Sequence, residues 1–201
     1  ITPNRADCLG VRGVARDLAA AGYGTLKPLD TSAHEGSFDS PVTWRLDLDG
    51  AEYLAPLITG IAFRGVTNGP SPDWMARRLN AIGQRPISAL VDITNYVMFD
   101  LGRPLHAYDI DKIQGSELIV RQADGGEPFA ALNEKTYEME AGMITIGDAE
   151  GVDDLAGVMG GERTGVSDGT TGMFLEIAVF DPISVATTGR KLNLNSDARY
   201  R

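Results

Sequence analysis

A segment of 25 residues, Arg85–Asp109, carries most of the side chains in this chain that could do chemistry. It holds a guanidinium at Arg85, a hydroxyl and an amide at Thr94 and Asn95, and one of only two histidines at His106. An imidazole can orient or activate water near neutral pH, and a guanidinium can clamp a phosphate or carboxylate-like oxygen. The segment therefore places four kinds of polar group within a short length of chain.

The apolar spacing in this segment predicts the element that positions these groups. Apolar residues recur at intervals of three and four, which indicates one face of a helix: Ile93, Tyr96, Val97 and Leu101. Asp92 is the expected N-cap, Gly102 the expected C-terminal cap, and Pro104 prevents the helix from continuing. We therefore expect the hydroxyl and the amide in the first helical turn, and His106 on a rigid turn just beyond the helix.

Two further candidates, Glu176 and Gly160, lie outside this segment. Glu176 stands inside the apolar run 174–180, where a carboxylate is rarely buried without a partner. A strand residue that faces solvent is the alternative interpretation. Gly160 and Gly161 follow an apolar strand predicted over 155–159. Such a pair ordinarily makes a tight turn, and no Lys-Ser/Thr follows it to form a phosphate loop.

The candidates in the first segment have ordinary structural interpretations as well. In its local sequence, His106 is typical of a hydrogen-bonded turn residue. Arg85 precedes Pro86, so its backbone is extended and its side chain can project from a fixed position, but a surface arginine is the usual interpretation. Thr94 and Asn95 can simply satisfy local backbone groups in a helical turn. From the residues alone, both interpretations stay open.

Bulk composition restricts the class of protein. At 201 residues the chain can bury a sizeable core, as one large domain or two small interleaved ones. Its hydrophobic content of 43% and charged content of 23% are ordinary for a soluble globular protein. We find no run approaching a membrane span and no signal peptide. The single cysteine, Cys8, excludes an internal disulfide, fits a reducing cytosol and, with two separated histidines, leaves no zinc set.

The hydrophobic pattern along the rest of the chain predicts a mixed fold. In the first half it predicts helices over 8–21 and 73–81, a polar loop over 31–41, and strands over 42–48 and 57–63. Further strands are predicted over 118–121, 129–132, 143–146, 156–159 and 173–180, and a final helix from Asp181-Pro182 to about Lys191. Strands without regular βαβ alternation, with helices segregated near the ends, indicate the α+β class. We expect a β-rich core, as a sheet or sandwich, with helices packed at the ends.

Several motifs together resemble one known family. The segment Arg85–Asp109 closely resembles the B3/B4 editing region of the β subunit of bacterial phenylalanyl-tRNA synthetase. Four further signatures follow the family order: Thr2–Cys8, Gly157–Gly165, Phe174–Phe180 and Ser196–Ala198. The resemblance covers residues 1–201, and it implies a single B3/B4-type editing module, possibly with two interleaved subdomains, within a longer subunit.

The resemblance assigns roles to individual residues. It makes His106 the catalytic residue and Glu176 the residue that recognises a tyrosine hydroxyl. It also implies a pocket whose floor is Gly160, where the absent side chain lets a ligand ring approach the backbone. The remaining substrate-binding positions are Arg85, Thr94, Asn95, Ser196 and Ala198. Many relatives have Thr where this chain has Ser196, so the hydroxyl is kept and the methyl group is lost. No metal site is implied.

The activity implied by the resemblance is hydrolysis of Tyr-tRNA(Phe) at its 3′ aminoacyl ester. The implied partners are the tRNA 3′ end, tyrosine as editing ligand, and the rest of the β subunit and the α subunit of an α2β2 synthetase in the cytoplasm. The parent enzyme would use ATP and Mg²⁺, and this module would need no cofactor. The alternatives are a noncatalytic tRNA-positioning or subunit-interface module, and a free-standing relative that acts on other esters.

Two expectations can be checked against a structure or a binding measurement. Five residues far apart in sequence should line one cavity, with Glu176 within about 15 Å of His106, as small ligand sites require: Arg85, His106, Gly160, Glu176 and Ser196. The chain has 18 basic and 28 acidic residues, a net charge of −10. A nonspecific nucleic-acid binder is usually basic, so we expect the chain alone to bind tRNA weakly, and more weakly still with added salt.

Overall fold

The computed structural model describes residues 1–2 and 4–201, so Pro3, in the opening signature, lies outside the described residues. Among the described residues there are five α-helices: α1 (Val11–Ala20), α2 (Asp73–Ala81), α3 (Ala89–Leu101), α4 (Pro182–Lys191) and α5 (Asp197–Tyr200). Short 3-10 helices occur at Ala6–Cys8, Glu52–Leu54, Ile110–Lys112 and Gln114–Ser116. Across these described ranges, no helix has the length and apolar character needed to cross a membrane.

The β-strands form three sheets. In chain order they are β1 (Thr43–Asp47), β2 (Leu57–Arg64), β3 (His106–Asp109), β4 (Glu117–Gln122), β5 (Glu127–Ala131), β6 (Lys135–Met139), β7 (Ile144–Gly147), β8 (Val152–Leu155), β9 (Met159–Gly160) and β10 (Gly172–Val179). A five-stranded sheet has the order β1-β4-β7-β8-β9, a three-stranded sheet the order β2-β10-β3, and β5 pairs with β6. All pairings are antiparallel except β1 with β4. The predicted α+β class is confirmed.

The five-stranded and three-stranded sheets share one hydrophobic core. Leu118, Val120 and Ile146 contribute to it from the five-stranded sheet, and Tyr108 and Phe174 from the three-stranded sheet. A second cluster contacts the β5–β6 hairpin and includes Phe129, Met139, Leu155 and Val158. The site described below lies where the shared core reaches one end of β3 and β10.

The register of β3 against β10 determines which side chains reach that end. Tyr108 lies opposite Phe174, and His106 lies opposite Glu176. Residues two apart on a strand point to the same face, so these four side chains share one face of the sheet. Tyr108 and Phe174 are fully buried in the core. The same face therefore continues from an apolar core to an imidazole and a carboxyl group.

Helix α3 starts earlier than the sequence pattern predicts. Its N-cap is Ser88 rather than Asp92. The Asp92 carboxylate is fully buried and instead accepts hydrogen bonds from the Ile87 backbone N–H, at 2.9 Å, and from the Ser71 hydroxyl. Asp92 thus holds the loop between α2 and α3 in place through these hydrogen bonds. Gly102 ends the helix as predicted, with a left-handed φ of 76°.

The earlier start of α3 changes which residues are buried. Thr94 lies in the second turn of the helix, not in the first. Ile93 and Leu101, assigned to the apolar face, are exposed, and the buried positions include Leu90 and Met98. The buried face follows the contacts of α3 with α1, α2 and β3, which lie on more than one side of the helix. The apolar spacing therefore did not identify the face of α3 that is buried.

Two other predictions near the site are wrong. His106 begins strand β3 instead of lying on a turn. Of the strand expected over 156–159, residues 156–158 form a turn, with Gly157 at a φ of 70°, and Met159 begins the two-residue strand β9. The preceding residues Asp153 and Asp154 form the strand instead, because both carboxyl groups find partners inside the protein. Two adjacent acidic residues concealed β8 from the hydrophobic pattern.

Candidate functional site

A cavity of about 640 Å³ opens between α3, the end of the β3–β10 pair, the β8–β9 turn and the C-terminal helix α5. This volume is in the range of small-molecule sites. Six of the eight residues predicted for the site line it: Thr94, Asn95, His106, Gly160, Glu176 and Ala198. A smaller groove of about 380 Å³ runs along α1 and contains none of the eight.

The cavity has Glu176 and His106 as direct neighbours on adjacent strands. They are opposite each other in the antiparallel register of β3 and β10. Paired residues on adjacent strands have Cα atoms about 4.5–5.5 Å apart, well within the 15 Å that was expected. The sheet itself therefore fixes the spacing between the carboxyl group and the imidazole.

Gly160 is the surface on which the imidazole rests. A Cβ atom at this position would lie 2.1 Å from Cε1 of His106 and 2.6 Å from its Nδ1. Such contacts are impossible, so the missing side chain is what allows the ring to lie there. The expectation that this space admits a ligand ring is therefore corrected, because the ring of His106 occupies it.

His106 is held in a buried, mostly neutral environment. Its Nδ1 is 3.9 Å from Oδ2 of Asp154, and its ring meets the Tyr108 ring edge-on at 4.4 Å between centroids. Nε2 is buried and has no hydrogen-bond partner among the residues that the structure describes. Burial lowers the pKa of His106 to about 4. At neutral pH the imidazole is therefore uncharged, with one of its two ring nitrogens unprotonated.

The acidic groups of the cavity are shifted in the opposite direction. Glu176 is only 6% exposed, and burial raises its pKa to about 8. Burial, with the nearby Glu176 carboxyl group, also raises the pKa of Asp154 well above its ordinary value. The Tyr108 hydroxyl donates to Oδ2 of Asp154 at 3.1 Å. The cavity therefore holds carboxyl groups that favour their neutral form near pH 7.

Helix α3 and helix α5 supply the opposite wall. The Thr94 hydroxyl donates to the Val91 carbonyl at 2.7 Å, so its ordinary helical role is present as well. Asn95 and Ala198 line the cavity without any further contact that we invoke. This wall is polar at Thr94 and Asn95, and Ala198 contributes only a methyl group to it.

Two predicted residues, Ser196 and Arg85, do not line the cavity. The Ser196 hydroxyl accepts the Arg199 backbone N–H at 3.1 Å and donates to the Val158 carbonyl at 2.5 Å. It therefore caps α5 and ties that helix to the β8–β9 turn. Arg85 is exposed in the loop between α2 and α3, where Asp92 fixes the chain at Ile87. The expectation of one cavity for all five residues is wrong for these two.

Asp154 is a buried acidic residue of the cavity that the sequence analysis did not identify. It lies on β8 directly opposite Gly160 of β9 and lines the same cavity. The available signal was a pair of adjacent acidic residues within an otherwise apolar stretch, which indicates buried, partnered carboxyl groups. No motif of the family included it.

A second acidic group lies elsewhere and has a different character. Asp7, Cys8 and Asp17 bring potential metal ligands together near α1. Arg5 and Arg16 form ion pairs with both carboxylates of this group. The two arginines neutralise the charge that would attract a cation.

Comparison with known proteins agrees with this architecture. Residues 54–201 match the family model described as the B3/4 domain. The chain belongs to the B3/4 domain family. This B3/4 domain is 54% identical, over its full length, to the phenylalanine–tRNA ligase β subunit of Paramagnetospirillum magneticum, and 52% identical to that of Brucella abortus. It spans about a quarter of the length of these relatives (25%).

The fold of the B3/4 domain has also been seen in a crystal structure. An N-terminal fragment of the phenylalanyl-tRNA synthetase β subunit from Pyrococcus horikoshii superposes with a TM-score of 0.53 at 15% identity. The match covers 95% of this chain and 59% of the other. At that identity the likeness concerns the fold. The family model begins at residue 54, so the extension of the module to residue 1 stays a prediction.

Proposed function

We propose that this B3/4 domain hydrolyses the 3′ aminoacyl ester of tRNA(Phe) mischarged with tyrosine. The observation that supports this best is the direct pairing of Glu176 with His106 in one cavity, one group suited to a hydroxyl and the other to water. The relatives of this chain are named phenylalanine–tRNA ligase β subunits. A ligase for phenylalanine must reject tyrosine, which differs from phenylalanine by one hydroxyl group.

Selection of tyrosine follows from the burial of Glu176. A pocket built for phenylalanine rejects tyrosine by only about a hundredfold, because an apolar wall repels one hydroxyl weakly. A second pocket can instead require the hydroxyl. Phenylalanine would leave the Glu176 carboxyl oxygens without a partner, which costs about 1–3 kcal/mol, whereas the tyrosine hydroxyl pairs with them in either protonation state.

Hydrolysis needs a positioned water molecule and a proton acceptor. The neutral imidazole of His106 can take a proton from water as the water oxygen bonds to the ester carbonyl carbon. The bond from that carbon to the ribose oxygen then breaks, and the proton passes to the departing ribose oxygen. The described part of the chain shows no nucleophile paired with His106, so water or a ribose hydroxyl of the tRNA would act directly.

Basic residues at the cavity support binding of the tRNA 3′ end in spite of the net charge of −10. Arg103, Arg199 and Arg201 all line the cavity. Arg201 is paired with Asp197 and lies over the Phe99 ring. Arg103 is exposed and, among the described residues, donates one hydrogen bond, to the Ala178 carbonyl at 3.3 Å, which leaves most of its guanidinium able to contact a phosphate.

The setting of the reaction is also part of the proposal. The domain would act within a larger α2β2 synthetase whose other parts bind most of the tRNA. ATP and Mg²⁺ would serve the aminoacylation site of that enzyme, and ester hydrolysis here would proceed with protein side chains and water. A cytoplasmic location follows from this role.

Single-turnover deacylation of Tyr-tRNA(Phe) and Phe-tRNA(Phe) by the intact enzyme tests the proposal. We expect Glu176→Ala to erase the preference for tyrosine, since the apolar replacement removes the group that made a missing hydroxyl costly. We expect His106→Ala to slow deacylation on the order of a hundredfold with the preference unchanged. An unchanged tyrosine preference in Glu176→Ala would remove the recognition role.

The same measurement addresses the alternative of a noncatalytic tRNA-positioning or subunit-interface module. That role predicts that neither substitution changes deacylation by the intact enzyme. It also predicts tight RNA binding by the chain alone, against the weak, salt-sensitive binding expected from its negative charge. Filter retention at physiological salt separates the two, because sub-micromolar binding would favour a dedicated RNA-binding module.

A further inference from the structure

The Asp154 carboxyl group lies beside two potential donors at the floor of the cavity. Its Oδ2 accepts the Tyr108 hydroxyl at 3.1 Å and is 3.9 Å from Nδ1 of His106. Asp154 is also the register partner of Gly160, the residue on which the imidazole rests. Strand pairing therefore fixes the acid, the glycine and the imidazole relative to one another.

We propose that Asp154 is a positioning residue for His106. Its oxygen accepts the Nδ1–H of the imidazole and so leaves Nε2 as the unprotonated nitrogen available to water at the ester. This inference rests on the proposed function for the reaction that Nε2 serves. The choice of tautomer, however, is a property of the protein that can be measured without a substrate.

Three observations support this assignment. Tyr108 is fully buried, so its hydroxyl fixes Oδ2 of Asp154 in place. Nε2 of His106 is buried and lacks a partner in the described part of the chain, so its partner has to come from the cavity that His106 lines. The 3.9 Å separation of Nδ1 and Oδ2 exceeds a hydrogen bond, and a shift of about 1 Å, in the free protein as well as with substrate bound, brings the two atoms into contact.

The other titratable groups around the imidazole do not serve the same purpose. Tyr108, from the same strand, contacts the ring edge and donates its hydroxyl to Asp154. Glu176, from β10, lies across the strand pair and is assigned to the substrate hydroxyl. Asp154, from β8, is thus the group placed to accept from Nδ1. A carboxyl oxygen accepts this hydrogen bond whether the acid is ionised or neutral.

Nuclear magnetic resonance of the imidazole nitrogens can identify the tautomer directly. The chain has two histidines, and His34 lies in an exposed loop, so His34→Gln leaves His106 as the single imidazole. In this background we expect an Nδ1-protonated His106 at pH 7. A predominantly Nε2-protonated ring would overturn the proposal before any kinetic measurement.

A pair of matched variants then tests the role of the carboxyl group. Tyr108→Phe removes the hydroxyl but keeps Asp154, and we expect it to retain the Nδ1–H tautomer. Tyr108→Phe with Asp154→Leu replaces both hydrogen-bonded partners by apolar groups of similar shape, which limits the loss of stability. We expect this double variant to change to the Nε2–H tautomer. If it keeps Nδ1–H, Asp154 does not position the ring.

Deacylation by the intact enzyme provides the functional readout. Relative to Tyr108→Phe, we expect the double variant to lose on the order of tenfold or more in kcat with little change in KM. Asp154→Asn keeps an acceptor oxygen towards both donors, so it should lose less than the double variant. If His106→Ala leaves deacylation unchanged, the proposed function fails, and the tautomer measurement still decides the role of Asp154. Equal rates in the double variant and its control would overturn that role.

Discussion

Strand β8 carries two adjacent buried carboxyl groups that face opposite sides of the molecule. Asp153 contacts the Arg163 guanidinium, with Nη2 and Oδ1 2.5 Å apart, and the same guanidinium reaches Asp148 at 2.6 Å. Asp154 faces the cavity, where it meets Tyr108 and His106. Successive residues of a strand point to opposite faces, so neighbouring positions in the sequence belong to different sites.

The two sides compensate buried charge in different ways. On the Arg163 side, burial opposes ionisation of Asp148, but the guanidinium and two backbone N–H groups hold its pKa below the ordinary value. On the cavity side, burial raises the pKa of Glu176 to about 8 and that of Asp154 well above its usual range. Burial raises the pKa of Asp153 to about 7 even beside Arg163, so the charge pairing that makes the first side a structural network is that of Asp148 with Arg163. Neutral, incompletely paired groups make the second side able to bind a ligand.

The largest expected effect comes from breaking the network with Arg163→Met. This change leaves Asp148 and Asp153 buried without their cation, and we expect a loss of about 4 kcal/mol in the free energy of unfolding at pH 7. Asp148 has a lowered pKa in the folded state, so its contribution is present above its unfolded pKa and disappears as the pH falls. Urea denaturation at pH 7 and near pH 4 should therefore show a smaller loss at the lower pH.

A surface ion pair provides the matched control for this prediction. Arg45 pairs with Asp47 and Glu117, and all three side chains are more than a third exposed. Arg45→Met should cost no more than about 1 kcal/mol. If Arg163→Met costs as little as Arg45→Met, the contrast between the two faces of β8 is lost.

On the cavity side, Glu176 is expected to give stability the opposite pH dependence, and Glu176→Gln tests this. The pKa of Glu176 is raised to about 8, so its favourable contribution is complete below the unfolded pKa and is lost as the pH rises to about 8. Between pH 5 and pH 8 the unsubstituted chain should lose about 3 kcal/mol that the glutamine variant retains. Thermal unfolding of both proteins across this range measures the difference. Parallel stability curves would show that Glu176 is already ionised or paired.

The sequence was sufficient to predict the elements that have local start and stop signals. Helix α2 is found at 73–81 as expected, and α4 begins at Pro182 with the Asp181 side chain as its N-cap. Strand β10 could be predicted because Glu176 is the single polar residue within a long apolar run. Propensity, caps and periodicity are properties of neighbouring residues, so a single sequence contains them.

Partners that are distant in sequence decide what could not be predicted. Strand β8 was missed because its two acidic residues are buried through contacts with Arg163 and Tyr108. Asp92 looked like a helix cap, but its partners are Ser71 and the Ile87 N–H. Local patterns do not show these contacts.

The same limit applies to the cavity residues. Six of the eight residues that the family resemblance selected line the cavity, but the resemblance did not give the direction of the Arg85 or Ser196 side chain. A motif gives the position of a residue in the sequence, whereas tertiary packing determines the direction of its side chain. The contact of His106 with Gly160 could not be anticipated for the same reason.

A smaller loss of stability than for Arg163→Met is expected for Gly160→Ala, which tests whether Gly160 sets the position of the His106 imidazole. The new Cβ would lie 2.1 Å from Cε1 of His106, and the glycine has no positive φ to strain the replacement. Because the conflict is with a side chain that can rotate rather than with the backbone, we expect a loss of about 1–2 kcal/mol in stability. The ring must nevertheless move away from Asp154, so His106 should lose its Nδ1–H preference and deacylation should fall towards the rate of His106→Ala. Gly169→Ala, where nothing lies within 4 Å, is the control and should change neither property. If Gly160→Ala keeps the His106 tautomer and the deacylation rate of the unsubstituted protein, Gly160 does not set the position of the imidazole. Strand pairing alone would then hold the cavity groups together.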